Sequence, residues 1–155
     1  MLIDKMQALT PHHMSTHISS KFELLQPKSK LHIEFSYSPK LLEDEKRVRE
    51  FMADCVDRYF EPEQRAAAMR SLERETTLSN LLTLTVDAPD GYRGACHRHD
   101  PQQKLILSAE DASPGLMKGP ISAGEWSVTV SVHSVVTEGC TYELRVWADE
   151  EDDAE

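Results

Sequence analysis

Apolar and polar residues alternate with a period of two over much of this chain. In WSVTVSVHSVV, Trp126, Val128, Val130 and Val132 fall on one face, and Ser127, Thr129, Ser131 and His133 on the other. CTYELRVWA opposes Tyr142, Leu144 and Val146 to Thr141, Glu143, Arg145 and Trp147. LHIEFSYSP sets Ile33, Phe35 and Tyr37 against His32, Glu34 and Ser36, and Leu82, Leu84 and Val86 alternate with threonines and Asp87. HISSKFELL and KLILSAE are shorter strand candidates. A strand with one apolar face buries that face and leaves the other wet, which is the habit of antiparallel sheets. HISSKFELL and LHIEFSYSP flank QPKSK and are expected to pair as a hairpin, which Pro39 ends because it has no backbone N–H to donate. The residues before His17 read as a polar lead.

From Leu41 the period changes. Val48, Phe51, Met52, Cys55, Val56 and Tyr59 recur at the spacing of one helical face, while Glu45, Lys46, Arg49 and Glu50 lie largely off it. EPEQRAAAMRSLERE restarts a second helix, with Pro62 in its first turn and Ala66 to Ala68 favouring helix. The pair is expected to pack on the chain's own sheet, with the alternative that Val48, Phe51, Met52, Val56 and Tyr59 face a partner. Turns are expected at Pro89-Asp90-Gly91, Ser113-Pro114-Gly115, Lys118-Gly119-Pro120 and Ala123-Gly124. The fold class is therefore mainly β: an antiparallel β-sandwich, jelly-roll-like, with an inserted α-helical pair at about 41–75. Residues 1–148 are expected to form a single domain, and 149–155 a disordered acidic tail.

Composition narrows the function classes. The chain has 155 residues, enough for one domain with a core of its own. Its net charge is −10, and the stretch DEEDDAE supplies six of its acids. No basic patch is present to neutralise phosphates, which argues against nucleic acid as a partner. The first residues lack a basic region followed by an apolar one, and no apolar run reaches membrane-spanning length, so no membrane association is expected. Cys55, Cys96 and Cys140 are widely spaced and resemble neither a disulfide framework nor a zinc site, which fits a reducing cytoplasm.

No catalytic set is read: no serine, threonine or cysteine has the flanking sequence of an activated nucleophile. The one His-x-His lies in His97-Arg98-His99-Asp100, where His97, His99 and Asp100 could share a divalent metal or simply form a polar loop. Asp87, Asp90 and Asp100 offer oxygens to calcium, without the spacing of an EF-hand. No cofactor is predicted beyond these two openings. His12, His13 and His17 lie in the lead, and His133 lies on the polar face of its strand. Tyr92 and Trp147, if exposed, would offer an aromatic platform to a sugar ring, whereas Trp126 reads as a core anchor.

Three stretches carry a family resemblance: NLLTLTVDAPDGYRGACHRHD, ASPGLMKGPISAGEWSVTVSVHSVV and CTYELRVWA. Together with LHIEFSYSP they resemble the N-terminal β-sandwich domain that precedes the catalytic domain in a group of bacterial PHP-domain metallohydrolases. The resemblance runs from about Phe22 to Ala148. In those enzymes a metal-binding His-x-His opens the domain that follows; here acidic residues follow Trp147, and the family's metal ligands are not matched. The resemblance implies a non-catalytic accessory module that works with a separate partner, a PHP-type hydrolase, or by self-association. The alternatives are a carbohydrate- or calcium-binding sandwich and, last, a small metal-dependent hydrolase using His97, His99 and Asp100.

Overall fold

The computed structural model describes residues 1–42, 45–72, 78–96 and 100–150. In chain order they form β1 (Ile3–Leu9), a 3-10 turn (Pro11–His13), β2 (Thr16–Leu24), β3 (Lys28–Ser38), β4 (Leu41–Leu42), α1 (Glu45–Tyr59) and α2 (Pro62–Leu72). Then follow β5 (Leu78–Ser79), β6 (Leu81–Ala88), β7 (Gly91–Cys96), β8 (Gln102–Ser108), β9 (Gly124–Ser134) and β10 (Cys140–Glu150). The first sheet has the order β1-β10-β3-β8, the second β2-β9-β6-β7, and every pairing within them is antiparallel. With the two-residue β4 and β5 set aside, the eight long strands run 1-8-3-6 and 2-7-4-5, the interleaved Greek keys of a jelly roll.

The alternation seen in the sequence builds the core between the sheets. Trp126, Val128 and Val130 of β9 and Tyr142, Leu144 and Val146 of β10 have no exposed surface. Leu31, Ile33 and Phe35 of β3 and Leu82, Leu84 and Val86 of β6 join them in one cluster. Each such side chain contributes about 1.5–3 kcal/mol of burial. Phe22 stacks on Trp126, ring centres 6.4 Å apart, and the indole Nε1–H donates to the Ser122 carbonyl at 2.9 Å.

Three expectations need correction. β2 and β3 do not pair: β2 lies beside β9 and β3 between β10 and β8, so the link at residues 25–27 crosses from one sheet to the other. Each strand's alternation fixes which face is buried, not which neighbour it hydrogen-bonds, and both neighbours of β3 come from much later in the chain. The lead is also not irregular. Ile3–Leu9 is a strand paired to β10 over seven residues, hidden in the sequence because Lys5 and Gln7 occupy positions facing the other sheet. At the opposite end, Asp149 and Glu150 belong to β10 rather than to a tail: Glu150 meets Lys28 at 2.7 Å and Asp149 meets His32 at 2.8 Å. Residues 151–155 lie outside the described residues.

The helical pair rises from a stem formed by Leu41 opposite Ser79 and Leu42 opposite Leu78. Asn80, fully buried, anchors that stem. Its Nδ2 donates to the Pro39 carbonyl (2.8 Å) and Thr137 Oγ1 (2.9 Å), and its Oδ1 accepts from the Val136 amide at 2.6 Å. Val48 and Met52 of α1 then pack on Val136, with Phe51 and Leu78 at the margin.

Two glycines sit where the chain crosses itself most closely. Gly94 has φ +117°, and a Cβ there would lie 2.2 Å from the Gly115 carbonyl oxygen; a Cβ on Gly115 would lie 2.4 Å from the Ala95 oxygen. Gly91 also has positive φ, +136°, but open space around it. Gly94→Ala is therefore expected to cost about 3 kcal/mol or more, and Gly91→Ala, which meets only the backbone penalty, about 1–2 kcal/mol. Urea denaturation of both variants checks this; equal losses would mean that the close approach at Gly94 does not matter.

Candidate functional site

The most concentrated chemistry in the molecule is Arg93 of β7, 8 % exposed. Its guanidinium donates from Nε to the Met117 carbonyl (3.0 Å), from Nη1 to Pro120 (2.9 Å) and from Nη2 to Gly119 (2.8 Å). Its Cζ lies 5.4 Å from the centre of the Trp126 ring. Burial lowers its pKa, and Asp90 partly offsets that. The three carbonyls belong to the segment between β8 and β9, which straps the edge of the sandwich. Along this segment Ala112 bridges to Leu107, Leu116 to Gly94 and Ile121 to Lys28. Gly119 lies directly under the guanidinium, where a Cβ would come within 3.1 Å of Nη2. Each of the three guanidinium nitrogens thus donates to the chain's own backbone, an arrangement that ties β7 to the strap.

The residues singled out from the sequence are scattered. His97 and His99 lie outside the described residues. Asp100 is exposed, and its Oδ1 accepts from the Gln102 amide at 2.9 Å, a local turn. Among the described residues no three His, Cys, Asp or Glu side chains converge as metal ligands, and Asp87 and Asp90 are no exception. His13 Nδ1 accepts from the Thr10 amide, His17 bonds Ser131 and His133 bonds Thr83.

Tyr92 and Trp147 do not form a platform. Tyr92 is on β7 at the edge of the second sheet, and Trp147 is on β10 in the first. One face of the Trp147 ring is already covered by His32, stacked at 5.0 Å and 7° between planes, with the imidazole held by Asp149. That row continues a patterned outer face, where Asp4, Arg145, Glu34 and Lys104 alternate in sign across the four strands. Arg145 lies 3.6 Å from Asp4, and Lys104 lies 4.0 Å from Glu34.

The partner face proposed for α1 is also corrected. Val48, Met52 and Val56 are buried and Phe51 half-buried, because the apolar stripe of the helix packs inside the molecule. Tyr59 alone of that set is exposed, at 77 %, and it is joined by Phe60 at 40 %. These two occupy the turn into α2. Arg65 fixes the turn, donating from Nε to the Phe60 carbonyl and from Nη2 to the Asp57 carbonyl, both at 3.2 Å. Arg47 pairs with Glu138 and ties α1 to the β9–β10 link.

At the other side of the sandwich, Lys5 of β1 reaches across to Ser20 of β2, Nζ to Oγ 3.3 Å, and lies 5.9 Å from the centre of the Tyr142 ring. The Tyr142 hydroxyl is buried with no hydrogen-bond partner among the described residues, and burial raises its pKa. Sequence reasoning missed Arg93 and Asn80, and it placed Tyr142 on the apolar face without its unpartnered hydroxyl.

No family model matches the chain, and a search of the curated proteins found no match. Among solved structures, a protein of Sulfurospirillum deleyianum is similar at 8 % identity and a TM-score of 0.34, over 96 % of this chain and 99 % of that one. The overlap is too loose to carry any inference. Among the described residues no helix is long and apolar enough to cross a membrane.

The Tyr142 environment has a consequence for pH. The folded phenol holds its proton above the unfolded value of about 10, so the folded state binds more protons and loses stability as pH rises past that point. Tyr142→Phe is expected to leave neutral-pH stability within about 1 kcal/mol and to reduce the alkaline loss. Denaturation midpoints at neutral and alkaline pH check this; parallel pH curves for the two proteins would contradict it.

Proposed function

We propose that this chain is a non-catalytic interaction module that works beside a separate partner, and that the partner is a PHP-type metal-dependent phosphoesterase. The observation that supports it is the turn at Tyr59 and Phe60. Two adjacent aromatic side chains are held out in solvent by Arg65 on a helical pair whose own apolar stripe is already used against the molecule. Exposed aromatics on a rigid support are the residues that most often anchor an interface. Arg93 and Asn80 are engaged within the chain itself, Arg93 with backbone carbonyls and Asn80 with Pro39, Val136 and Thr137. The class of partner rests on the resemblance of the strands around DGYRGA, ASPG and AGEW to the domain that accompanies such enzymes.

The test is a titration of the purified chain against a purified PHP-type phosphoesterase, followed by sedimentation. Saturable binding is expected, weakened roughly thirtyfold by Tyr59→Ser with Phe60→Ser, a loss typical of hot-spot aromatics. Both changes are at exposed positions, so circular dichroism should confirm an intact fold. Absence of binding, or binding indifferent to the double variant, would contradict the proposal.

A further inference from the structure

The two sides of the sandwich are finished differently. On one, the edges β7 and β8 are covered by the strap, through the bridges of Leu116 to Gly94 and Ala112 to Leu107. On the other, β1 and β2 are edges with no such cover: among the described residues no other segment makes a backbone hydrogen bond to their outer sides. Both are regular, β2 paired to β9 over nine residues and β1 to β10 over seven without a register shift, and neither contains proline. Each carries a single lysine, Lys5 and Lys21, and long, regular edges are templates for another strand.

We infer that this side joins a second copy of the chain, β2 pairing antiparallel with β2 about a two-fold axis at Ser20. The sequence of β2 is self-complementary in that register. Ile18 falls opposite Phe22 and Thr16 opposite Leu24 on the core side, while His17 falls opposite Glu23 and Ser19 opposite Lys21 on the outer side. Sliding by one step either way that keeps the faces matched sets Lys21 against Lys21, or Lys21 against His17, and shortens the overlap. A slip that exchanges the faces would set Ile18 and Phe22 beside polar outer-face residues of the other copy.

The same axis suits the other sheet. The Lys5–Ser20 contact places the middle of β1 over the middle of β2. Pairing β1 with its own copy about Met6 sets Ile3 opposite Leu9, Asp4 opposite Ala8 and Lys5 opposite Gln7, so no like charges meet. Met6, 67 % exposed at the centre of that edge, meets its counterpart on the axis. The product is a dimer in which both sheets run continuously from one copy into the other, closing the open edges in the isologous manner of a two-fold interface. This surface is separate from the Tyr59–Phe60 turn and does not depend on it.

Two substitutions at one exposed position test the register. Ser19→Lys puts like charges opposite each other twice in the dimer, and Ser19→Glu puts a carboxylate opposite Lys21 twice. Sedimentation across a dilution series is expected to show a dimer, weakened about tenfold by Ser19→Lys and tightened by a similar factor by Ser19→Glu. A monomer at every concentration would overturn the inference, as would a dimer whose dissociation constant moves in the same direction, or not at all, in both variants.

Discussion

A buried guanidinium with three backbone carbonyls in front of it is the constraint from which the sandwich takes its shape. Arg93 carries a full charge at a position where only 8 % of the residue is exposed, and the carbonyls of Met117, Gly119 and Pro120 are its hydrogen-bond partners. Leaving that charge unsatisfied would cost several kcal/mol, so the strap cannot lift without a large penalty. The guanidinium in turn lies over Trp126, the largest fully buried side chain, whose indole N–H holds the Ser122 carbonyl at the end of the same strap. One cation and one indole thereby fasten the link between β8 and β9. Gly94 and Gly115 let the strap approach β7 to a distance no side chain would permit.

Asn80 plays the corresponding part at the opposite end. A carboxamide both donates and accepts, and Asn80 uses both abilities to join Pro39, Thr137 and Val136. This fixes the point at which the helical insertion leaves and rejoins the sandwich. α1 then needs only a short apolar stripe to dock, and the turn at Tyr59 and Phe60 is left facing solvent.

The sequence made the buried faces legible and left the neighbours obscure. Trp126, Val128, Val130 and Val132 follow a strict period of two because β9 lies inside its sheet and packs one whole face on the core. β1 lies at an edge and buries little but Ile3 and Leu9, so Lys5 and Gln7 are tolerated between them and the pattern is broken. The hairpin expected from β2 and β3 failed for a different reason: two half-buried strands joined by a short link can belong to one sheet or to two, and alternation is the same in both. The stripe on α1 was readable as apolar, but whether it met the chain's own Val136 or a foreign surface was not. Arg93 and Asn80 resemble solvent-facing residues in the letters because their partners lie far away in the sequence, and the alternation that puts Tyr142 on the apolar face says nothing of its unpartnered hydroxyl. Of the candidate metal ligands, Asp100 is engaged in a local turn; the two aromatics of the candidate sugar platform, Tyr92 and Trp147, are set in different sheets.

Hydrogen exchange of the wild-type chain and an Arg93→Met variant shows whether Arg93 holds the strap. The amides of Leu116, Met117 and Gly119 donate within the strap or to its neighbours, at 3.0, 2.8 and 3.0 Å. Loss of the guanidinium is predicted to speed their exchange at least tenfold, about the worth of one lost hydrogen bond, while Val128 and Val130 in β9 change much less. Unchanged exchange at the three strap amides, or an equal increase at Val128 and Val130, would contradict it.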